Sequence, residues 1–183
     1  MRARLGLGER SVPLAFAGFG AGSMLAAFLL PQLLVRQEDR AVMIGGAALM
    51  FAGVALVPLV GGLSTLIALW AVIGFGFSMT QTPIGRIINR SAREADRGAV
   101  FAPQFALSHP CRLVTYPLAG WTGAETGLGI AALTLADTGA LGVIAVLRIW
   151  PATDIVELTH GHPDLPNDHP HLTAHGPETP VPT

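Results

Sequence analysis

The sequence has no lysine, a single cysteine and few charged residues. All eleven basic residues are arginine, and charged residues make up 13% of the 183 residues, about half of the roughly 25% found in soluble domains. With a formal net charge of −1, the chain lacks the basic surface needed to release counterions from a nucleic-acid backbone, which argues against nucleic-acid binding. Cys111 is the single cysteine, so an intrachain disulfide and a zinc site built on several cysteines are excluded.

Apolar runs fill most of the chain, which is 51% hydrophobic and has a mean hydropathy of +0.53. A helix needs about 20 apolar residues to span a bilayer, and backbone polar groups in lipid must be paired within the segment. The sequence therefore predicts an all-α fold, a polytopic transmembrane bundle of about five helices. The predicted spans are residues 12–35, 41–60, 63–88, 99–120 and 127–147, joined by loops at 36–40, 61–62, 89–98 and 121–126.

Three domains follow from this pattern: a polar N-terminal segment (1–11), a transmembrane domain (12–148) and a Pro/His-rich tail (149–183) that we expect to be disordered. Arginines collect on one side of the predicted membrane, which the positive-inside rule makes cytoplasmic. We therefore expect a multi-pass protein of the bacterial inner membrane with a cytoplasmic C-terminus. Arg2, Arg4 and Arg10 break this rule at the outward N-terminus, which predicts that the natural chain begins upstream. The arginines of the cytoplasmic side are Arg36, Arg40, Arg86, Arg90, Arg93, Arg97 and Arg148.

Small residues and prolines mark the predicted helices. Gly18 and Gly22 form a GxxxG motif, for which packing inside a bundle is favoured over dimerisation. Five prolines are expected to kink or end helices because proline lacks the backbone N–H. They are Pro58, Pro83, Pro103, Pro110 and Pro117, and the last two predict a bend in the fourth span.

Polar residues inside the predicted spans are candidates for a substrate or proton pathway. Ionisable groups within the membrane are costly and therefore tend to be functional, and a neutral histidine can relay protons near physiological pH. Asp137 could provide the counter-charge for Arg112. The alternative is that neighbouring helices and water simply satisfy these groups. The candidates are Gln81, Gln104, His109, Arg112 and Asp137.

Several motifs resemble those of major facilitator superfamily transporters. Gly22 followed by the charged stretch 36–40 resembles the loop between their second and third, or eighth and ninth, helices. Asp96-Arg97-Gly98 resembles the entry to the fifth or eleventh helix. The stretches 101–109 and 115–121 resemble the penultimate helix of a bacterial subgroup that also has a histidine-rich tail. Pro110 and Arg112 depart from that subgroup's usual small and aromatic residues.

The resemblance covers most of residues 12–172 and implies the C-terminal half of such a transporter, helices eight to twelve. It implies transport of a small solute, possible coupling to protons, and an N-terminal half supplied elsewhere. It gives a conformational role to the loop residues Gly22, Arg36, Asp39, Arg40, Asp96, Arg97 and Gly98. The alternative is a truncated, non-transporting membrane protein or a metal-sensing accessory subunit. The sequence has no HExxH or Walker A motif, so we expect neither an enzyme nor an ATP-driven pump.

The tail contains the chain's one dense group of metal-ligand side chains. Histidine pairs two residues apart can bind zinc or nickel through imidazole nitrogens, with carboxylates completing the set. Prolines between the pairs favour extended backbone, so binding would have to order the segment. The alternative is a disordered tail, or one that docks under the helices, with no resident cofactor. The candidate ligands are His160, His162, Asp164, Asp168, His169 and His171.

Overall fold

The structure, a computed structural model, describes residues 11–91 and 97–150, with side chains throughout except at 90, 91, 97–105, 107 and 108. These residues form five α-helices and one short 3₁₀ helix, Val57–Leu59, which confirms the predicted all-α class. The tail beyond residue 150 and the first ten residues lie outside the described ranges. The helices are α1 (Ser11–Arg36), α2 (Asp39–Ala55), α3 (Leu63–Ser91), α4 (Arg97–Thr126) and α5 (Leu128–Ile149).

Membrane-spanning character is clear for three of the helices in the described ranges. The segments Ser11–Arg36, Leu63–Asn89 and Leu128–Ile149 are long and apolar enough to cross a bilayer. At 17 residues, α2 rises only about 26 Å, slightly less than the roughly 30 Å hydrocarbon core. His109 and Arg112 make α4 more polar. These three helices indicate a membrane protein. Five membrane crossings remain a prediction.

The predicted loop at 121–126 is wrong, because α4 continues to Thr126. The hydroxyls of Thr122 and Thr126 donate to helix carbonyls, to Leu118 O at 2.6 Å and to Thr122 O at 2.7 Å. These bonds let polar side chains stay inside a helix without competing for its backbone donors. The turn into α5 is made at Gly127, whose φ of 88° favours glycine.

The second predicted span ends early, at Ala55 instead of residue 60. Pro58 lies in the following 3₁₀ helix and cannot supply the N–H that a continued α-helix needs. The next helix is capped locally. The Gly62 N–H donates to Thr65 Oγ1 at 3.1 Å, which satisfies a donor left open at the start of α3. Pro83, by contrast, lies within α3 without ending it, as Pro110 and Pro117 lie within α4.

The helices lie side by side in an order that differs from their order in the chain. α3 packs on α1 and on α2, α2 packs on α5, and α5 packs on α4. The spatial order is thus α1, α3, α2, α5, α4. Such a row encloses little interior. The buried apolar cluster is small and lies where α1, α2 and α3 meet, with Ala26, Leu30, Leu34 and Val42 at its centre.

Glycines set the close approach of α3 to its two neighbours. A Cβ added to Gly22 would collide with the backbone carbonyl of Ala71, and one on Gly76 would lie 2.7 Å from Gly46 O. The Ser23 hydroxyl also donates to Gly74 O at 3.0 Å across the α1–α3 contact. Small residues allow backbones to approach in this way in membranes. Gly18 and Gly22 therefore pack within the bundle, as the sequence favoured.

Candidate functional site at the helix ends

Asp39 is the first residue of α2, and its side chain is 2% exposed. A carboxylate suits this position because the helix dipole is positive at the N-terminus. Burial of the charge would nevertheless be costly without a cation nearby. Arg86 meets this need, since its Nε lies 3.4 Å from Asp39 Oδ1. The predicted loop aspartate is thus a buried partner of α3.

Arg86 also reaches the end of α1. Its Nη1 donates to Leu34 O at 3.5 Å, one of the last four carbonyls of α1 that lack an intrahelical partner. The guanidinium therefore lies among three helix ends, those of α1 and α3 and the start of α2. Half of the Arg86 side chain remains exposed, so solvent or headgroups weaken the attraction.

Arg40, next to Asp39, contacts the helix on the other side of α2, which is α5. Its Nε donates to the carbonyl of Trp150 at 3.1 Å, and Trp150 is the residue that caps α5. Adjacent residues at the start of α2 therefore join this helix to α3 on one side and to α5 on the other. We call these residues, Asp39, Arg40, Arg86 and Trp150, the junction.

Other members of the predicted conformational loop lie around the junction or away from it. The loop itself shrinks to Gln37 and Glu38, because α1 extends to Arg36, which is exposed. Gly22 lies far from the loop, in the α1–α3 contact. Arg97 and Gly98 are the first residues of α4, but their side chains are not among those that the structure describes. Asp96 lies outside the described residues.

Of the span candidates whose side chains are described, only His109 and Arg112 lie together. His109 and Arg112 are exposed on α4 and line a shallow groove of about 360 Å³ with Leu113, Tyr116 and Pro117. Asp137 is exposed on α5, and no ion pair joins it to Arg112 among the described side chains. Gln81 is exposed on α3, and the side chain of Gln104 is outside the description.

Three residues of these sites escaped the sequence reasoning. Arg86 was counted among the arginines of the cytoplasmic side, but its partner Asp39 was not identified. Trp150 was unmarked, although tryptophan favours membrane interfaces. Tyr116 lies seven residues after His109, and this helical spacing places the two on one face of α4.

The tail ligands lie outside the described residues. Within the described ranges no three His, Cys, Asp or Glu side chains come together as a metal site.

No protein-family model matches the chain, and neither does any curated protein or any solved structure.

Proposed function

We propose that this chain is the C-terminal half, helices eight to twelve, of a secondary transporter of the major facilitator type. Its role would be to move a small solute across the bacterial inner membrane, with the arginine-rich end in the cytoplasm. The junction is the observation that carries the proposal. In the family that the motifs resemble, the charged loop pairs with neighbouring helix ends to hold one conformation. Here Asp39 and Arg40 contact α3 and the end of α5.

The polar face of α4 supports the proposal that this helix packs against the N-terminal half of the transporter. His109, Arg112 and Tyr116 share that face, and all three are exposed. Exposure of an arginine to lipid costs several kcal/mol, so such groups face protein or a water-filled path. Because two halves of these transporters rock around a central site, we propose that this face lines the path shared with the N-terminal half. His109 would then carry the coupling proton.

The decisive test is whether this chain transports alone. The DNA upstream should encode an in-frame extension of about seven helices, or a separate gene for that half. Co-expression of the two halves should restore solute-dependent proton uptake in proteoliposomes, measured with a pH-sensitive dye over a panel of candidate solutes. The chain alone should show none. Uptake by the chain alone would reject the half-transporter proposal.

A non-transporting protein with a metal-sensing tail is the second candidate, favoured by the histidine pairs His160/His162 and His169/His171. Calorimetric titration of the detergent-solubilised chain with zinc or nickel tests it. Micromolar binding that disappears when these four histidines become alanine would support metal sensing. Millimolar binding, or binding that survives the substitutions, would reject it.

A further inference from the structure

A second groove, of about 350 Å³, lies between α2 and α5, with Thr80 of α3 also in its lining. Its polar member is Thr80, whose hydroxyl is already used, since it donates to Phe77 O at 2.7 Å. Apart from this hydroxyl and the indole N–H of Trp150 at one end, the lining is apolar. The lining residues are Met43, Ile44, Ala47, Phe51, Thr80, Gly139, Gly142, Val143, Val146 and Trp150.

The groove has a polar end at Arg40. On α2, Arg40 precedes Met43 and Ile44 by three and four residues, so it lies on the same helix face as the lining. On α5 the lining runs to Trp150, whose carbonyl accepts the Arg40 bond. Arg148 is different. It lies two residues from both Val146 and Trp150, which places it on the opposite side of α5.

The length of the groove matches one leaflet of a bilayer. From Arg40, at the polar end, to Phe51, the last α2 residue of the lining, the helix rises about 16 Å at 1.5 Å per residue. Half of a roughly 30 Å hydrocarbon core is about 15 Å. A lipid with its headgroup at Arg40 would therefore place its chain end near the membrane midplane, beside Phe51 and Gly139. The groove volume also lies at the lower end of the range of ligand pockets, about 300–1,000 Å³.

Charge at this end of the molecule selects the headgroup. The described side chains at this end carry four positive charges and two negative charges. The arginines are Arg36, Arg40, Arg86 and Arg148, and the carboxylates are Glu38 and Asp39, of which Asp39 is paired with Arg86. Lipid tails are as apolar as the groove, so the groove can select a chain by fit but cannot distinguish headgroups. Basic residues at the membrane surface attract anionic headgroups.

We propose that this groove is a binding site for an anionic phospholipid, with one acyl chain between α2 and α5 and the phosphate at Arg40. The site is independent of transport, since it needs only that the helices lie in a membrane. One arginine at the membrane surface changes affinity for an anionic lipid by about fivefold.

Native mass spectrometry of the detergent-solubilised chain, titrated with phosphatidylglycerol or phosphatidylcholine, tests the site. Four variants form two matched pairs. Arg40→Gln removes the charge on the groove face, and Arg148→Gln removes one on the opposite face. Gly142→Leu fills the groove, and Gly20→Leu adds the same bulk on exposed α1. No neighbouring helix or side chain lies within 4 Å of a Cβ added at either glycine, so neither substitution introduces a clash at that atom.

The unmodified chain is expected to bind phosphatidylglycerol more tightly than phosphatidylcholine. Arg40→Gln should reduce phosphatidylglycerol binding about fivefold, Arg40→Lys should retain most of it, and Gly142→Leu should reduce binding of both lipids. Arg148→Gln and Gly20→Leu should bind as the unmodified chain does. Equal losses for Arg40→Gln and Arg148→Gln would show diffuse attraction instead of a site, and unchanged binding by Gly142→Leu would place the lipid elsewhere. Either result overturns the proposal. Circular dichroism confirms that each variant is folded.

Discussion

Arg86 Nε lies 3.4 Å from Asp39 Oδ1, and this ion pair connects the last turns of α3 to the first turn of α2. The carboxylate is buried and the guanidinium is half exposed, so the two partners are not equivalent. Loss of the acid leaves a cation that can turn to solvent or headgroups. Loss of the cation leaves a buried acid, which is the costlier defect.

Arg86→Gln should therefore destabilise the chain more than Asp39→Asn does. We expect about 2–4 kcal/mol for the first and about 1 kcal/mol for the second, the latter reduced because Arg86 is half exposed. Thermal unfolding in detergent, followed by circular dichroism, measures both. Glu38→Gln, at the exposed neighbouring position, is the control. If all three variants unfold together, the pair contributes nothing to stability.

Gly22→Ala should loosen the contact between α1 and α3. The added Cβ would collide with the Ala71 carbonyl, a backbone atom that cannot rotate away. Overpacking of this kind costs about 1–3 kcal/mol. Gly20→Ala is the matched control, since nothing lies within 4 Å of its Cβ. The measurement is the unfolding midpoint of the two variants in the same detergent, and equal midpoints would contradict the close approach.

Arg112→Leu should improve the membrane insertion of α4. At the centre of a spanning helix arginine costs about 2.5–3.5 kcal/mol on the insertion scale, whereas leucine is favourable by a few tenths. Position 112 lies in the middle of Arg97–Thr126. A glycosylation-based insertion assay on α4 measures the change, with Cys111→Leu as the neighbouring control. Loss of transport in the assembled protein alongside better insertion would show that Arg112 serves function at the expense of insertion.

The connection between α1 and α2 and the connection between α2 and α3 should lie on opposite sides of the membrane. In a Cys111→Ser background, Gln37→Cys marks the arginine-rich end and Gly61→Cys marks the other. Positive charge in short loops predicts that Gln37→Cys is protected from an impermeant maleimide in intact bacterial spheroplasts while Gly61→Cys reacts. Labelling of both after permeabilisation confirms that each thiol is accessible. The reverse pattern in intact cells would invert the proposed orientation.

The long apolar helices were the predictable part of the fold. α1 was placed at 12–35 and runs from Ser11 to Arg36, and α5 was placed at 127–147 and runs from Leu128 to Ile149. Hydropathy fixes such segments because lipid leaves the backbone no alternative to the helix. The end of α4 was misjudged, because Thr122 and Thr126 have the composition of a loop and their hydroxyl bonds to the helix cannot be read from hydropathy.

Contacts between distant residues were beyond sequence reasoning. The motif placed Asp39 and Arg40 at a functional loop but could not name Arg86 or Trp150 as their partners. Which helices lie side by side depends on where small residues face each other. A single GxxxG motif shows that Gly22 can pack closely but does not identify Ala71 as its contact.

The side-by-side order of the helices also determines when their contacts can form during synthesis. α2 is made before both α3 and α5, the helices that flank it, so it enters the membrane before either of its lateral neighbours exists. Arg86 is synthesised roughly 50 residues after Asp39, which at about 5–20 residues per second is a delay of several seconds. During that interval the aspartate has only water and headgroups to screen its charge. A position at the very start of a short helix keeps it within their reach until α3 arrives.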